Sequence, residues 1–233
     1  MIAIVPAAGI GQRMQATIPK QYLKIAGRYI LDHSISALFR DPRITHVIVA
    51  LHPQDTLFGK SAFANNDKVI RVEGGASRAQ SVLNALAFAQ QRWDEETLVA
   101  VHDAARPGLP AQHLQQLLDR AQAVPEQGAI LALPARDTLK VATAQHQVEK
   151  TLDRTLVWQA QTPQVFQLGH LQHGLQAALE AGVDVTDECS AMEFLGIQPQ
   201  LVMGSRAALK VTDPEDLELI AFYLQSNLIT EGS

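Results

Sequence analysis

Short apolar runs rich in valine and isoleucine alternate with helix-like stretches along most of this chain, and this alternation restricts its fold strongly. The strand-like runs are Ile2–Val5, His46–Leu51, Val69–Val72, Leu98–Val101 and Ala129–Leu133. The helix-like stretches between them are Ile30–Phe39, Arg78–Arg92 and Ala111–Ala123. Near-continuous apolar strands in such an alternation predict an α/β fold, with a mostly parallel central sheet covered by helices on both faces.

The alternation breaks between Ala135 and Phe166, where Thr138–Val141 and Val148–Leu152 predict two short strands around a polar turn. A hairpin of two strands is only marginally stable by itself, so we expect this arm, at about 135–160, to pack against a partner subunit. We treat residues 1–233 as a single domain that carries the arm. The elements predicted after the arm are Leu168–Ala181, Glu188–Leu195 and Pro214–Leu224 as helices and Gln200–Met203 as a strand.

The first strand-like run opens into the string P-A-A-G-I-G-Q-R-M-Q-A-T-I-P-K-Q-Y-L-K. Its glycines let the backbone come close to a ligand, and Arg13 and Lys20 add positive charge, so we expect the ligand to be a polyphosphate. The string is not a Walker A loop, and Met14 replaces the third glycine of the dinucleotide fingerprint. The glycines alone leave both a ligand loop and an ordinary tight turn open, whereas the two cations favour a nucleotide.

Further polar residues follow the third and fourth strand-like runs, where a parallel sheet binds its ligands. The string E-G-G-A-S-R-A-Q-S-V puts a glycine pair before a helix that Ser77 would cap, with Ser81 facing the ligand side one turn later. An ordinary glycine turn with a cap is the alternative. In V-H-D-A-A-R-P, Asp103 and Arg106 either bind ligand groups or form a structural pair that closes a loop.

Two later strings also allow a functional and a structural interpretation. T-D-E opens a helix, so Thr186 either contacts a ligand or serves as a helix cap. Lys210 follows the apolar residues 207–209, which predict a short strand, and a lysine in such a strand needs an anionic neighbour. That neighbour is either an acidic side chain or a bound phosphate.

Composition and charge narrow the classes of function. A net charge of −5 argues against a nucleic-acid binder that works by broad phosphate neutralisation. The single cysteine, Cys189, excludes an internal disulfide and a cysteine-based zinc site, which fits a cytoplasmic protein. The start of the chain lacks the basic lead of a signal peptide, and no apolar run approaches the length of a membrane span. The histidines, His102 among them, show no ligand spacing and are interpreted as core or surface residues.

Taken together, these strings resemble the 2-C-methyl-D-erythritol 4-phosphate cytidylyltransferases of the non-mevalonate isoprenoid pathway, from Ile4 to about Leu224. P-A-A-G-x-G-x-R-M with P-K-Q-Y is typical of nucleotidyltransferases of this type. V-H-D-A-A-R-P, D-T-x-K and T-P-Q-x-F are more discriminating, and T-D-E and L-K-V-T-x-P-E-D complete the set. The chain departs at Ala76, where some relatives have an acidic residue. The resemblance implies a Rossmann-like three-layer nucleotidyltransferase fold and a homodimer, with the hairpin as its dimerisation arm.

The resemblance also implies a reaction and a set of site residues. CTP and 2-C-methyl-D-erythritol 4-phosphate would give 4-diphosphocytidyl-2-C-methyl-D-erythritol and pyrophosphate, with Mg²⁺ as the cofactor. Arg13 and Lys20 would stabilise charge on the α-phosphate, while Arg154 and Lys210 would hold the attacking phosphate. The residues implied to receive the nucleotide are Ala7, Ala8, Gly9, Gly11, Gly75 and Ser81. Those implied to contact the sugar alcohol or ribose are Asp103, Arg106, Thr138 and Thr186. In the homodimer, Thr138 and Arg154 would act in the partner's site.

Other functions remain open at this stage. A ribitol 5-phosphate cytidylyltransferase shares the first loop and V-H-D-A-A-R-P, and its acceptor is also a phosphorylated polyol. Sugar-1-phosphate nucleotidyltransferases are usually longer chains. An NAD-dependent oxidoreductase is disfavoured by Met14 and by Leu51 and His52, which stand where an acidic residue should end the second strand. A non-catalytic nucleotide-binding module would keep the pocket but would gain nothing from two cation pairs.

Overall fold

The structure is a computed structural model that describes residues 1–9 and 18–230, with the backbone alone for 226–230. Its strands are β1 (Ile2–Ala7), β2 (Lys24–Ile25), β3 (Arg28–Tyr29), β4 (His46–Leu51), β5 (Val69–Glu73), β6 (Leu98–Val101), β7 (Ala129–Pro134), β8 (Lys140–Ala142), β9 (Val148–Thr151), β10 (Trp158–Gln167) and β11 (Gln200–Met203). Its helices are α1 (Ile30–Leu38), α2 (Arg78–Ala89), α3 (Ala111–Ala123), α4 (Leu168–Glu180), α5 (Glu188–Phe194) and α6 (Pro214–Thr230). Every predicted element except a strand at Lys210 has a counterpart among these.

Seven strands form the central sheet in the order β11-β7-β10-β6-β1-β4-β5. All neighbours run parallel except β10, which is antiparallel to both β6 and β7. The mostly parallel α/β sheet is therefore confirmed. From β1 the chain adds β4 and β5 on one side and then crosses to β6 on the other. The loops that follow β1 and β6 therefore lead towards opposite edges of the sheet and leave a crevice between them at the carboxyl ends of these strands. Open α/β sheets bind ligands in such a crevice.

Alternate residues of β1 are buried on opposite faces of the sheet. Ala3 and Val5 belong to a core cluster with residues of α1 and α3. Ile2 and Ile4 belong to a second cluster with residues of α2, α4 and α5. Burial of each isoleucine contributes about 1.5–3 kcal/mol, and helices cover both faces, which explains why the strand has no polar alternation.

Strand β10 was not predicted, because its sequence W-Q-A-Q-T-P-Q-V-F-Q is rich in amides and contains a proline. The amides of Gln161 and Gln164 are nevertheless buried and hydrogen-bonded. Gln164 donates to Asp187 Oδ2 at 2.8 Å and accepts from the Cys189 N–H at 2.8 Å. The pairing with β7 is irregular between Ala160 and Gln164, the part of the strand that contains the proline. Satisfied amides make a polar strand tolerable inside the sheet.

The predicted hairpin is present as β8 and β9, which pair only with each other among the described strands. Most of its side chains are exposed, including Val148 at 65%. Leu156, in the turn that follows the hairpin, is 81% exposed. The described part of the chain thus leaves apolar side chains of the arm uncovered. None of the described helices is both long and apolar enough to cross a membrane.

Candidate active site

A cavity of about 470 Å³ opens at the carboxyl ends of β1, β5 and β6. Described segments from five parts of the chain form its wall, and two of them carry a lysine. The predicted site residues that line it are Ala7, Ala8, Gly9, Lys20, Gly75, Ser81, Asp103 and Lys210. The described residues that line it without having been assigned a ligand-binding role are Pro6, Gln21, Ala76, Ser77, Arg78, Ala104, Ala105 and Thr212. Residues more than 200 positions apart in the sequence, such as Ala7 and Lys210, therefore meet at one site.

The two glycine loops pack directly against each other. A Cβ atom on Gly74 would lie 2.5 Å from the Cβ of Ala8 and 3.2 Å from the carbonyl oxygen of Leu51, so only glycine allows this approach. Ser77 caps α2 as predicted, since its hydroxyl accepts from the Gln80 N–H. The hydroxyl of Ser81 accepts from the Gly75 N–H at 3.0 Å and donates to the Ser77 carbonyl at 2.8 Å. Ser81 thus fixes the loop that faces the cavity.

Lys20 is held beside both the first loop and the segment that follows Lys210. Its Nζ donates to the Val211 carbonyl at 3.2 Å. The neighbouring Gln21 is buried and donates to the carbonyls of Ala7 at 2.7 Å and Gly9 at 3.3 Å. Gln21 was not predicted as a site residue, although it stands in the P-K-Q-Y string. Its amide ties the lysine-bearing segment to the end of β1.

Asp103 lies at the centre of a cluster of charges. Its Oδ1 accepts from Arg78 Nε at 3.0 Å, while its Oδ2 lies 2.8 Å from Lys210 Nζ and 3.4 Å from Arg106 Nε. Burial alone would raise the pKa of Asp103, but the charges of Arg78 and Lys210 outweigh it and hold that pKa well below its usual range. The predicted Asp–Arg pair is confirmed. Asp103 also lines the cavity, and its contact with a ligand stays a prediction.

Lys210 has the anionic neighbour that its sequence context required, and this neighbour is the Asp103 carboxylate. The predicted strand around it is wrong, because residues 206–208 form a short 3-10 turn and Lys210 lies in the loop after it. Arg106 is mostly buried behind Asp103, with its Nη1 donating to the Ala208 carbonyl at 2.8 Å. Burial lowers the pKa of Arg106, and Asp103 opposes that shift. Arg106 does not line the cavity and instead joins two of its loops.

Sequence reasoning missed the ion pair between Arg78 and Glu188. Arg78 Nη1 and Nη2 donate to the two carboxylate oxygens of Glu188 at 2.7 and 3.0 Å, and Glu188 is fully buried. Burial would lower the pKa of Arg78, but the charges of Glu188 and Asp103 raise it above its usual value. A signal existed in the sequence, because Arg78 stands at the start of α2, where a cation opposes the helix dipole and needs an anionic partner.

His102 is a fully buried core residue, consistent with its interpretation from the sequence. Its Nε2 lies 3.0 Å from the Arg106 carbonyl, which can only accept, so Nε2 carries the proton. Its Nδ1 then accepts from the Thr162 hydroxyl at 3.0 Å, and that hydroxyl in turn accepts from the Asp103 N–H at 3.0 Å. Burial lowers the pKa of His102 to about 4. A neutral histidine therefore fixes the backbone of Asp103.

This arrangement predicts a loss of stability in mild acid. The folded-state pKa of His102 lies below its ordinary value of 6.5, so as the pH falls from 6.5 towards 4 the unfolded chain binds a proton that the folded chain does not. The free energy of unfolding then drops by up to about 1.4 kcal/mol per pH unit from this group. Urea unfolding at pH 7 and pH 4.5 should show a smaller drop for His102→Gln than for the unchanged chain. Equal decreases in the free energy of unfolding for the two chains would contradict the assignment of His102 as a buried neutral histidine.

Several predicted residues are not among the described residues that line the cavity. Arg13 and Gly11 lie outside the described residues. Thr138 and Arg154 are exposed, and Arg154 donates to the Arg136 carbonyl. Thr186 is exposed as well, and it is not the helix cap, because Asp187 caps α5 in a capping box with Ser190. With Asp187 as the cap, Glu188 is the first residue of α5.

The described part of the site offers little to a metal ion by itself. No group of three or more His, Cys, Asp or Glu side chains among the described residues is placed to hold one. Asp103 is the carboxylate in the described wall of the cavity, and both of its oxygens already contact cations. The described wall of the cavity therefore provides no dedicated set of metal ligands.

Comparisons with known proteins agree with this geometry. The family model for 2-C-methyl-D-erythritol 4-phosphate cytidylyltransferase matches residues 1–226. A protein of that name from Vibrio vulnificus is 47% identical over 224 residues, which cover 96% of this chain and 94% of that protein. Another from Photobacterium profundum is 48% identical over 229 residues, covering 97% of this chain and 96% of that protein.

Solved structures with the same name have the same fold. The structure from Francisella tularensis superposes with a TM-score of 0.82 at 36% identity, covering 95% of this chain and 98% of that chain. The structure from Thermus thermophilus superposes with a TM-score of 0.78 at 29% identity, covering 97% of this chain and 98% of that chain. The similarity therefore extends over the sheet, the helices and the arm rather than over the glycine loop alone.

Proposed function

The chain belongs to the 2-C-methyl-D-erythritol 4-phosphate cytidylyltransferase family and transfers a cytidylyl group from CTP to that acceptor, and we propose that the cavity at the sheet edge is where it does so. The product is 4-diphosphocytidyl-2-C-methyl-D-erythritol. The observation that carries the proposal is the placement of Lys20 and Lys210 in one cavity with both glycine loops. The relatives' names specify methylerythritol phosphate, so we prefer it to ribitol 5-phosphate as the acceptor.

The reaction requires charge stabilisation more than proton transfer. A phosphate oxygen of the acceptor attacks the α-phosphorus of CTP in line with the departing pyrophosphate. This nucleophile is already an anion, so no strong base is needed, but two highly charged phosphates must approach each other. Fixed cations in a site that excludes water lower that barrier. The chain supplies them from two directions, with Lys20 from the first loop's side and Lys210 from the Asp103 side.

We assign the residues of the cavity to the two substrates. Lys20, together with Arg13 from the same loop string, stabilises the charge that builds on the α-phosphate. Lys210 holds the phosphate of the acceptor, while its contact with Asp103 keeps the ammonium group at the wall of the cavity. Ala7, Ala8, Gly9, Gly11, Gly75 and Ser81 receive the nucleotide, where small residues let the base and phosphates come close to the backbone.

We also propose that the reaction uses Mg²⁺, which supplies charge neutralisation at the triphosphate when bound. The protein itself contributes space for this ion in the cavity rather than a set of ligands. Asp103 is the nearest protein carboxylate that the described cavity wall offers, and its contacts with Arg78 and Lys210 keep it from acting as a dedicated metal ligand. The ion then enters with CTP and is held mainly by phosphate oxygens and water.

A homodimer is the assembly that this chain's arm supports. The hairpin β8–β9 pairs with no other described strand, and Val148 and Leu156 expose apolar surface on and beside it. A second copy would cover that surface. Arg154 and Thr138 lie at the base of the arm, so we propose that they complete the partner's cavity, with Arg154 on the acceptor phosphate and Thr138 on the sugar alcohol.

Pyrophosphate release tests the function directly. The chain with Mg²⁺ should release pyrophosphate from CTP with 2-C-methyl-D-erythritol 4-phosphate, at a rate at least about tenfold above ATP, GTP or UTP with the same acceptor. Ribitol 5-phosphate in place of the acceptor is the matched control and should give little release. Preference for ribitol 5-phosphate would keep the chemistry but overturn the acceptor. No release with any pair would overturn the enzymatic assignment.

A further inference from the structure

Glu188 is the most deeply buried charged group near the cavity, among the residues that the structure describes, yet it does not line it. Its side chain is fully buried, and both of its oxygens face the guanidinium of Arg78. Arg78 uses its remaining Nε–H for Asp103 Oδ1 at 3.0 Å. Asp103 in turn contacts Lys210 through its other oxygen at 2.8 Å. Side chains of alternating charge therefore contact one another in turn, from Glu188 on α5 to Lys210 at the cavity.

Because the guanidinium of Arg78 is planar, its contact with Glu188 determines how it contacts Asp103. A carboxylate that holds both Nη groups of an arginine fixes the orientation of the guanidinium plane, and with it the direction in which the Nε–H points. Glu188 therefore holds Arg78 in the orientation in which its Nε–H meets Asp103 Oδ1, while Asp103 Oδ2 contacts Lys210. If Glu188 lost its charge, Arg78 would be free to pivot and bind both oxygens of Asp103. Lys210 would then lose the contact that orients it at the wall of the cavity.

We propose that Glu188 is a positioning residue for the transfer reaction, acting through Arg78 and Asp103 to orient Lys210. The inference rests on the proposed function, in which Lys210 holds the acceptor phosphate. Glu188 touches neither substrate and takes no part in the chemistry itself. The competing explanation is that the ion pair only joins the beginnings of α2 and α5. That explanation predicts a loss of stability with no specific effect on Lys210.

The two explanations differ in what happens when Lys210 is absent. Glu188→Gln is compared in the unchanged chain and in a Lys210→Met background, with kcat/KM for 2-C-methyl-D-erythritol 4-phosphate at saturating CTP as the readout. We expect about a tenfold fall in the unchanged chain and less than about a twofold fall in the Lys210→Met background, because coupled residues are not additive. The KM for CTP should change little. Glu193→Gln, an exposed charge on the same helix, is the control and should leave both values unchanged.

Each other outcome overturns the proposal. Equal falls in both backgrounds mean that the pair is structural only. A Lys210→Met chain as active as the unchanged one removes the role of Lys210 and the inference with it, whereas no activity in the unchanged chain refutes the proposed function itself. If thermal unfolding shows that Glu188→Gln does not fold, Arg78→Met combined with Glu188→Leu replaces it, since removing both charges of a buried pair is often tolerated. We expect this double substitution, too, to lower kcat/KM in the unchanged chain but not in the Lys210→Met background.

Discussion

Replacing Lys20 by methionine should lower kcat about 10²–10³-fold, because loss of one fixed donor to a developing negative charge typically has that effect. Methionine keeps the length and apolar stem of the side chain and removes only the charge. Lys20 lines the cavity, and Gln21 anchors its segment to the end of β1. Steady-state pyrophosphate release at saturating CTP and acceptor measures the change.

Lys24→Met is the matched control for this substitution. Lys24 is exposed, stands four residues further along the same segment, and has its Nζ 5.4 Å from the centre of the Tyr29 ring rather than in the cavity. We expect kcat within about twofold of the unchanged chain, as for most surface substitutions. A Lys20→Met chain that folds and retains more than a third of the original kcat would show that the α-phosphate is stabilised elsewhere.

Much of this fold could be predicted because its strands are buried on both faces. Ile2–Ala7 and His46–Leu51 pack under helices on each side, so their apolar runs are continuous and easily recognised. The glycine loops were recognisable for a related reason, since Gly74 is required where two loops touch. These features depend on local sequence and on burial alone, and the positions of Lys20 and Asp103 followed from them.

The features that were missed depend on contacts between distant residues. Strand β10 is hard to recognise because the partners of its buried Gln164 amide, Asp187 and Cys189, come from another part of the chain. The pair of Arg78 with Glu188 spans 110 residues, so the sequence around Arg78 signals only that a cation at the start of α2 needs an anionic partner, not which residue it is. A polar side chain becomes compatible with burial only through its partner, and a pattern in one segment contains no information about that partner.

Two inactive variants, Lys20→Met and Arg154→Met, should regain activity when one copy of each is combined in a mixed dimer. If Arg154 completes the partner's cavity, one of the two sites in that dimer has both residues intact and the other has neither. Isolated mixed dimers should then have about half of the original activity, since a closed two-fold dimer contains two equivalent sites. The dimer is purified through a different affinity tag on each chain, and pyrophosphate release is measured per dimer.

The combination of Lys20→Met with Lys210→Met is the control, and it follows from the cavity itself. Lys20 and Lys210 line the same cavity in one chain, so every site of that mixed dimer lacks one of the two lysines. It should stay inactive, which rules out a general gain from subunit exchange. Recovery in both combinations would contradict the placement of the two lysines in one site. Recovery in neither would mean that Arg154 acts within its own chain or not at all, and the exposed arm would then need a different explanation from the one that the geometry favours.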